Sequence, residues 1–352
     1  MKIVTIVGAR PQFIKLAPFS KRIRKKYQEI IVHTGQHYSS YMSEKFFDEL
    51  DIPSPDYNLE VGPGDHGVQT GKMLMKIEGV LLKEKPDLVV VFGDTNSTLA
   101  GSLVASKLHI PVAHVESGLR SFNKEMPEEI NRVLTDHCSD LLFAPTVSAM
   151  QNLENEGLSP KSFLTGDIML DTLEMHLPKI NDNHSILSNL NVKSKEYCLV
   201  TLHRPYNVDH NEKLSIILST LSRINNNFIF PVHPRTRKML SKFDIKVGEN
   251  IFLVEPLGYI DFLALEYHAA KIITDSGGIQ KEAYILKIPC ITVRTETEWS
   301  ETVSAGWNIV VKNIENDLYD AFDTFKPPPN HPEIFGKYSC ADKMVDIITD
   351  YL

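Results

Sequence analysis

Thr274-Asp275-Ser276-Gly277-Gly278-Ile279-Gln280-Lys281-Glu282 is the stretch that decides the fold. The apolar run before it, Ala270 to Ile273, predicts a buried strand, and the residues from Ile279 to Tyr284 have helical spacing. Two glycines leave no side chain in the turn and Ser276 suits an N-cap, so the first N–H groups of the helix would face open space. A phosphate can bind at such a helix N-terminus, although the same residues also suit a plain cap and turn.

Short runs rich in Val and Ile recur along the rest of the chain and alternate with amphipathic stretches of helix length, which is typical of parallel strands with crossover helices. The predicted strands of the first half are Ile3 to Val7, Ile30 to Thr34, Leu88 to Phe92, Val112 to Val115, Leu141 to Ala144 and Phe163 to Thr165. Those of the second half are Cys198 to Leu202, Phe228 to Val232, Ile251 to Val254, Ile272 to Thr274, Ile291 to Val293 and Ile309 to Val311.

These patterns predict an α/β protein of two Rossmann-like, doubly wound domains that face each other across a cleft. We place the first domain at residues 1–168 and the second at 169–339, with the turn-rich residues 179–184 and 189–196 in the region between them. Residues 340–352 have helical spacing, and we expect that helix to pack back on the first domain. Because ligands bind at the carboxyl ends of strands in such sheets, the cleft is the expected site.

Composition excludes several classes of function. The chain has 352 residues, with 37 Lys and Arg against 45 Asp and Glu, and its net charge of -8 argues against general binding to nucleic acid or acidic membranes. No apolar run is long enough to span a bilayer and the chain enters a strand directly, so we expect a cytoplasmic protein. The four cysteines show no paired spacing, so neither disulfides nor a metal site is predicted.

Three acidic residues follow predicted strands or open a helix. Asp94 and Glu116 end consecutive apolar strands, where a carboxylate is costly unless it is paired, so a functional role is favoured. Asp94 has a structural alternative as a helix cap, and Glu128 after Pro127 has one as an ordinary first-turn acid. All three are candidate cleft residues.

Cations and histidines also follow the strands. Arg10 and Lys15 flank the start of the first helix, where they would reach a bound anion, although a solvated surface position is the simpler interpretation of Lys15. His203 and His233 each follow a strand of the second half, with an arginine nearby, which suits a diphosphate better than a buried structural histidine. Acids and histidines lie on different strand ends, without the spacing of a metal site.

Five motifs together resemble the UDP-N-acetylglucosamine 2-epimerase family over nearly the whole chain. They are Gly8-Ala9-Arg10-Pro11, Gly93-Asp94-Thr95, His114-Val115-Glu116-Ser117-Gly118-Leu119-Arg120, Pro127-Glu128-Glu129-Ile130-Asn131-Arg132 and Asp275-Ser276-Gly277-Gly278-Ile279-Gln280. The resemblance implies the two-domain GT-B fold, a homodimer, and the interconversion of UDP-GlcNAc and UDP-ManNAc in polysaccharide biosynthesis without a cofactor.

The resemblance also implies a role for each matching residue. Asp94, Glu116 and Glu128, with His203, would form the catalytic group. The remaining implied residues bind substrate: Arg10, Lys15, Arg132 and His233 support the diphosphate and reacting sugar, Ser276, Gly277 and Gly278 bind the phosphates, and Glu282 binds the ribose. Gln36 and His37 match part of a second, regulatory substrate site, whereas the loop at Gly64 to Gly67 departs from it.

Three departures from the family pattern leave the sugar open. The chain has Ala9-Arg10-Pro11-Gln12 in place of Thr-Arg-Pro-Glu, Arg204-Pro205-Tyr206 in place of Arg-Arg-Glu, and Trp299 in place of an arginine. These variants are closer to the branch that acts on UDP-2,3-diacetamido-glucuronate, which is the main alternative. A hydrolysing 2-epimerase, a GT-B glycosyltransferase and a catalytically silent nucleotide-sugar-binding protein are further alternatives.

Overall fold

The Val- and Ile-rich runs of the sequence form the strands of two parallel sheets in the computed structural model, which describes residues 1–36, 46–181 and 184–352. The first sheet has the order β3-β2-β1-β4-β5-β6-β7. Its strands are β1 (Lys2–Val7), β2 (Gln28–His33), β3 (Tyr57–Asn58), β4 (Leu88–Phe92), β5 (Val112–Val115), β6 (Leu141–Ala144) and β7 (Ser162–Leu164).

The second sheet has the order β10-β9-β8-β11-β12-β13. Its strands are β8 (Tyr197–Thr201), β9 (Asn227–Pro231), β10 (Ile251–Val254), β11 (Lys271–Thr274), β12 (Cys290–Thr292) and β13 (Asn308–Val310). In both sheets the direction in which strands are added reverses once, between β1 and β4 and between β8 and β11. Ligands bind at the carboxyl ends of the strands beside such a reversal.

Helices connect the strands, as the alternating pattern predicts. Those in the described residues are α1 (Arg10–Ile23), α2 (His66–Glu84), α3 (Asn96–Lys107), α4 (Pro127–Cys138), α5 (Val147–Asn155), α6 (Met169–Asn181), α7 (His184–Asn189), α8 (Pro205–Val208), α9 (Asn211–Arg223), α10 (Pro234–Lys242), α11 (Tyr259–His268), α12 (Gly277–Ile285), α13 (Ser300–Ser304), α14 (Ile314–Thr324) and α15 (Cys340–Tyr351). A single 3-10 turn covers Ser159–Lys161.

Gln12 fixes the turn between β1 and α1. Its side chain is almost completely buried, and Oε1 accepts hydrogen bonds from the N–H groups of Gly8 and Ala9 at 2.7 and 3.0 Å. Nε2 donates to the carbonyl of Phe92 at 2.9 Å and to Oγ1 of Thr98 at 3.0 Å. One amide therefore ties the start of α1 to the end of β4, because its oxygen accepts hydrogen bonds and its nitrogen donates them.

The chain divides into two compact units. The first consists of Met1–Met175 with Glu333–Leu352, and the second of His176–Pro332, whereas the sequence places the boundaries after residues 168 and 339. Helix α15 packs against α1, and Arg22 Nε lies 3.0 Å from Asp342 Oδ1 across that contact. The C-terminal helix is therefore part of the first unit.

Two local features differ from the sequence prediction. Strand β3 is only two residues long, which is too short for an alternating pattern to reveal. Helix α6 runs through Lys179–Asn181, where the sequence predicts a turn-rich connection, because Ile180 is fully buried and holds the last turn in place. Because the neighbours of Ile180 in the sequence are polar, the sequence alone does not indicate that this residue is buried.

Three further expectations from the sequence concern membrane-spanning helices, metal sites and the cysteine thiols. No helix in residues 1–36, 46–181 and 184–352 has the length and apolar character needed to cross a membrane. The same residues contain no group of three or more metal-binding side chains. All four cysteines are free thiols, and Cys198, Cys290 and Cys340 are buried while Cys138 is partly exposed. Burial raises the pKa of Cys198 to about 12, which makes this thiol unreactive.

We predict that Asp171 holds α15 in place. Its carboxylate accepts hydrogen bonds from the N–H groups of Cys340 at 3.1 Å and Ala341 at 2.7 Å, so it caps a helix whose own N-cap residue, Ser339, makes no side-chain cap. Asp171→Ala should lower the free energy of unfolding by about 1–2 kcal/mol, the usual value of an N-cap. Urea denaturation measures this loss, and amide hydrogen exchange across Cys340–Tyr351 should accelerate.

Asp346→Ala is the matched control on the same helix. Asp346 Oδ1 lies 2.9 Å from Lys26 Nζ, but both side chains are largely exposed and solvent screens the pair. The control should leave the urea midpoint nearly unchanged. An equal loss in both variants would contradict the assigned role of Asp171.

Candidate active site

A buried ion pair joins α1 to the end of β5. Lys15 Nζ lies 2.6 Å from Glu116 Oε2, and the two side chains are only 8% and 11% exposed. Gly93, which follows β4 with φ of +64°, leaves space for the lysine, since a Cβ there would lie 3.3 Å from Nζ. Removing either partner would leave an uncompensated charge in a largely dry environment, which is strongly destabilising.

Glu116 has an unusual backbone conformation. Its φ is +71°, in the left-handed region that a glutamate rarely adopts. The N–H groups of Glu116 and Ser117 both donate to the carbonyl of Phe143 on β6 at 3.1 Å, which holds the turn. Such a conformation costs on the order of 1–3 kcal/mol and occurs most often at functional sites. The strain therefore supports a functional role for this glutamate.

A second ion pair lies beside the first. Arg132 Nη2 on α4 binds Asp94 Oδ2, and Arg132 Nη1 lies 2.9 Å from Glu129 Oε2. Asn131 Nδ2 donates to the backbone carbonyl of Asp94 at 2.9 Å, which fixes the peptide as well as the side chain. Asp94 directly follows Gly93, so both ion pairs lie at the carboxyl ends of β4 and β5. The Asp94 side chain is 30% exposed and accessible to a ligand.

Adjacent glutamates on the first turn of α4 have different surroundings. Glu129 is buried and accepts hydrogen bonds from the N–H groups of Ser121 and Phe122 at 2.8 and 2.9 Å, so it holds a loop. Glu128 is partly exposed and makes no ion pair or hydrogen bond within the part of the chain that the structure describes. It lies four residues before Arg132 and thus on the same helix face. Glu128 is therefore available to a ligand near Asp94.

A buried network lies beneath these acids. His114 Nδ1 lies 2.6 Å from Asp136 Oδ1 and His114 Nε2 lies 2.7 Å from the carbonyl of Gly93. Arg120 Nη2 lies 2.7 Å from Asp136 and its guanidinium also makes a bidentate pair with Glu156. Burial alone would raise the pKa of Asp136, but the contacts with His114 and Arg120 outweigh it and lower the pKa. The charged network braces the peptide that precedes Asp94.

Arg10 and Gln36 are the other predicted residues of the first unit. Arg10 opens α1 at the end of β1, and its guanidinium lies 4.4 Å from the centre of the Phe46 ring. Gln36 Oε1 accepts from the N–H and the hydroxyl of Ser97 at 3.0 and 2.6 Å, so it holds the start of α3. His37, the other predicted regulatory residue, lies outside the described residues.

Asp275 organises the carboxyl ends of β8 and β11 in the second unit. It is completely buried, and its carboxylate accepts hydrogen bonds from the N–H groups of His203 and Arg204, both at 3.1 Å. Asn207 Nδ2 donates to the same carboxylate at 3.1 Å. The first residue after β11 therefore shapes the loop after β8, a role that the sequence does not reveal.

His203 is held as a neutral imidazole. Its Nδ1 lies 3.2 Å from Asp275 Oδ1. Burial lowers the pKa of His203; the charge of Asp275 opposes this shift, whereas Arg204, His233 and Arg294 add to it. The lowered pKa leaves the ring uncharged at neutral pH. The ring can therefore bind a proton when an anion approaches and favours the charged form.

His233 has a structural role at its own helix. It is the N-cap of α10, where its Nδ1 accepts from the N–H of Arg235 at 3.2 Å. Its ring centre lies 6.2 Å from that of His203, so both predicted histidines lie at the same edge of the second sheet. Arg235 itself forms a bidentate pair with Asp209.

The glycine turn forms as predicted. Ser276 is the N-cap residue of α12, and its hydroxyl makes no hydrogen bond to the first turn. Gly277 is buried, and a Cβ there would lie 2.0 Å from Glu298 Oε1, so any side chain at this position would have to displace Glu298. Glu298 Oε2 lies 2.7 Å from Arg294 Nη1, and both side chains are buried. The first N–H groups of α12 thus lie beside a buried ion pair, with Gly278 exposed above them.

Glu282 lies in the second turn of α12. It is buried, and its Oε1 accepts from the hydroxyl of Tyr259 at 2.9 Å. Trp299, which replaces the family's arginine, is also buried, and Lys281 Nζ lies 4.6 Å above its indole ring. The replacement therefore contributes to packing beside α12.

The predicted residues fall into two groups, one in each unit. The first group comprises Arg10, Lys15, Asp94, Glu116, Glu128 and Arg132, and the second comprises His203, His233, Ser276, Gly277, Gly278 and Glu282. Sequence reasoning missed the buried groups that position them. These are Gln12, His114, Arg120, Glu129 and Asp136 in the first unit, and Asp275, Arg294 and Glu298 in the second.

Comparison with known proteins gives the same family at the level of sequence and of structure. A family model described as UDP-N-acetylglucosamine 2-epimerase matches residues 21–349. The UDP-N-acetylglucosamine 2-epimerase homolog of Methanococcus maripaludis is 54% identical over 354 residues, which cover 99% of both chains. The UDP-2,3-diacetamido-2,3-dideoxy-D-glucuronate 2-epimerase of Pseudomonas aeruginosa is 48% identical over 320 residues, which cover 88% of both.

A solved structure extends the match to the whole fold. Methanocaldococcus jannaschii UDP-GlcNAc 2-epimerase, in complex with UDP-GlcNAc and UDP, aligns with a TM-score of 0.93 and 48% identity over 99% of this chain and 100% of that chain. The predicted fold class is confirmed, because the two parallel α/β sheets are those of the GT-B-like fold of these structures. The chain belongs to the UDP-N-acetylglucosamine 2-epimerase family, isomerases that act on UDP-sugars.

Proposed function

We propose that this protein is a non-hydrolysing UDP-N-acetylglucosamine 2-epimerase that interconverts UDP-GlcNAc and UDP-ManNAc. The observation that carries the proposal is the strained, lysine-paired Glu116 at the end of β5, with Asp94 next to it at the end of β4. It occurs in a chain that is 48% identical to an epimerase whose structure holds UDP-GlcNAc and UDP.

The reaction needs acids and a diphosphate site together. The C2 proton of the sugar is not next to a carbonyl, so its direct removal is very slow. Expulsion of UDP from C1 creates an oxocarbenium-like centre and makes the C2 proton far more acidic. Addition of UDP to the resulting glycal, with a proton delivered to the opposite face of C2, then gives the epimer. Elimination therefore precedes inversion, and the reaction consumes no cofactor.

The first unit supplies the acid and base groups in this proposal. Glu116 and Asp94 each pair with a cation, Lys15 and Arg132, and a carboxylate at either position can stabilise positive charge at C1 or accept a proton at C2. Glu128 is not committed to any other contact in the described residues, which suits a group that exchanges a proton. Carboxylates on two different strands and a helix can approach a sugar from different faces.

The second unit supplies the diphosphate site in this proposal. The unpaired N–H groups of the first turn of α12 can bind phosphate oxygens, and the hydroxyl of Ser276 can donate a further hydrogen bond. A neutral His203 can donate an N–H hydrogen bond to the departing diphosphate without a permanent charge that would hold the product too tightly. Glu282 then binds the ribose hydroxyls, and His233 supports the phosphates.

A second candidate is UDP-2,3-diacetamido-glucuronate 2-epimerase. The Pseudomonas aeruginosa enzyme of that name is as similar to this chain, at 48% identity, as the Methanocaldococcus jannaschii UDP-GlcNAc enzyme. Gln12 and Trp299, two of the three departures from the family pattern, are buried and explained by packing. Tyr206 is not: its hydroxyl is buried without a partner among the described residues, and burial raises its pKa to about 12. Tyr206 is therefore the departure that favours UDP-2,3-diacetamido-glucuronate as a possible substrate.

The family resemblance supports three further proposals. The enzyme acts in the cytoplasm, it is a homodimer, and its product enters polysaccharide biosynthesis.

The proposed reaction predicts solvent exchange at C2. Incubation with UDP-GlcNAc in D2O should give UDP-ManNAc and UDP-GlcNAc that both carry deuterium at C2, because each turnover removes the original proton. Proton NMR and mass spectrometry measure both products. Accumulation of free UDP and ManNAc would instead indicate a hydrolysing enzyme, and exchange only with the diacetamido-uronate substrate would favour the second candidate. No exchange with either sugar would contradict the epimerase proposal.

Loss of the charge of Glu116 should separate catalysis from binding. We expect Glu116→Gln to abolish turnover, because an amide can neither accept the C2 proton nor stabilise the cationic centre. UDP affinity, measured by calorimetry, should stay within about tenfold, or roughly 1.4 kcal/mol. Glu125→Gln, an exposed residue close in sequence, is the control and should retain full activity. Near-normal turnover of Glu116→Gln would remove this residue from the mechanism.

A further inference from the structure

Phe122 combines an exposed side chain with a strained backbone. It is 79% exposed, and its φ is +58°. A single apolar side chain on a surface is ordinary, but a positive φ is costly for a residue with a bulky side chain. Neither feature stabilises the fold, so the conformation of Phe122 needs another explanation.

The left-handed conformation of Phe122 is not that of a helix cap. Positive φ also occurs at Lys85, His109 and Asp244, but each of these lies within two residues after a helix end, where the conformation is common. Phe122 lies instead in the connection between β5 and α4. Glu116, at the start of the same connection, has a positive φ too. Strained residues outside caps occur most often at functional sites.

Hydrogen bonds hold the backbone on both sides of Phe122. The N–H groups of Ser121 and Phe122 donate to the carboxylate of Glu129 at 2.8 and 2.9 Å. On the other side, the carbonyl of Asn123 accepts from the N–H of Met126 at 3.1 Å. The loop is therefore preorganised, and it presents the exposed ring from a fixed backbone.

The carboxylate of Glu129 also connects Phe122 to the proposed catalytic acids. Glu129 Oε2 lies 2.9 Å from Arg132 Nη1, and Arg132 Nη2 binds Asp94 Oδ2. These two side chains thus connect the backbone of Phe122 to Asp94. Glu128 is the neighbour of Glu129 in the first turn of α4. Phe122 therefore lies at the same carboxyl edge of the first sheet as the acids that act on the hexose.

We propose that Phe122 is a specificity-determining residue whose ring packs against the acetamido group at C2 of the hexose. The inference rests on the proposed function, in which Asp94 and Glu116 act at C1 and C2. The acetamido methyl is the apolar group next to those carbons, and an aromatic face covers such a group from water. Both candidate substrates carry this acetamido group, so the proposal applies to either.

The exposure of the ring suits a substituent that moves. Epimerisation at C2 changes the direction of the acetamido group between equatorial and axial. A ring that is fixed at its backbone but not enclosed by protein side chains can contact the methyl in both configurations. The contact is then similar in substrate and product, so it should affect binding more than turnover.

Calorimetry with three ligands tests this contact. Phe122→Ala should raise the Kd of UDP-GlcNAc about fivefold, the loss expected when one methyl group is no longer covered. The Kd of UDP-glucose, which has a hydroxyl in place of the acetamido group, should stay within about twofold, as should that of UDP. Phe122→Tyr keeps the ring and should retain the wild-type Kd for all three ligands.

Stability measurements separate this role from a structural one. Phe122→Gly should weaken the binding of UDP-GlcNAc as much as Phe122→Ala does. It should not lower the urea midpoint, because glycine adopts a positive φ freely and the lost ring is exposed. Lys85→Gly is the matched control, since Lys85 is also exposed and has a φ of +48°. The control should likewise keep the urea midpoint and should leave every Kd unchanged.

An unchanged Kd of UDP-GlcNAc in Phe122→Ala would overturn the proposal. An equal rise for UDP-GlcNAc and UDP-glucose would also overturn it, because the ring would then contact another part of the ligand. A lower urea midpoint in Phe122→Gly would show that the ring packs within the fold. Deuterium exchange by the wild type, together with an unchanged Kd in Phe122→Ala, would leave the epimerase proposal intact, so the two failures are distinguishable.

Discussion

The contact between Lys15 Nζ and Glu116 Oε2 is the interaction on which the first unit's site depends. A carboxylate at the end of a buried strand is costly unless a cation compensates it, and the fold supplies one from a different element, α1. Several features of the fold make that contact possible. Gln12 fixes the start of α1 against the end of β4, and Gly93 leaves space for the ammonium group. Glu116 has a positive φ, and its Oε2 lies 2.6 Å from the ammonium group of Lys15.

The second unit has the same strand topology, but the groups at its strand ends suit an anion, whereas those of the first unit suit a cationic centre. Its strand order also reverses beside the site. However, Asp275, the residue after β11, is buried and holds the loop of His203, so it is not exposed to a ligand. What remains accessible is a helix N-terminus, a serine and a neutral histidine, which suits an anion. One unit thus offers paired carboxylates and the other offers uncompensated donors. The two kinds of group correspond to the two charges of the proposed reaction, because the diphosphate is anionic and the centre that develops at C1 is cationic.

Strand positions and strand-end residues could be predicted from the sequence because parallel strands in this fold are buried on both faces and read as continuous apolar runs. Which of those strand-end residues form ion pairs or hydrogen bonds with which partners could not be predicted. Lys15 resembles a solvated surface lysine in the sequence, yet its side chain is only 8% exposed, because the tertiary fold brings Glu116 to it. Glu128 and Glu129 are indistinguishable as first-turn acids until the loop at Ser121 is seen to bind only Glu129. Likewise, Gln12 and Asp275 act through backbone groups distant in sequence, which leave no local pattern.

Helix α2 contacts the polar groups that hold Asp94. On its inner face, Gln69 Oε1 accepts from Asn96 Nδ2 at 2.9 Å, and Asn131 Nδ2 donates to Asn96 Oδ1 and to the carbonyl of Asp94. Packing of α2 thus bears directly on the position of Asp94. The central claim is that the C1–O bond breaks, and UDP leaves, before the configuration at C2 is inverted. Positional isotope exchange tests this most directly, with ¹⁸O in the oxygen that bridges C1 and the β-phosphorus of UDP-GlcNAc. The account predicts that the label scrambles into the non-bridging β-phosphate oxygens during turnover; epimer formed with the label retained entirely in the bridge would contradict it.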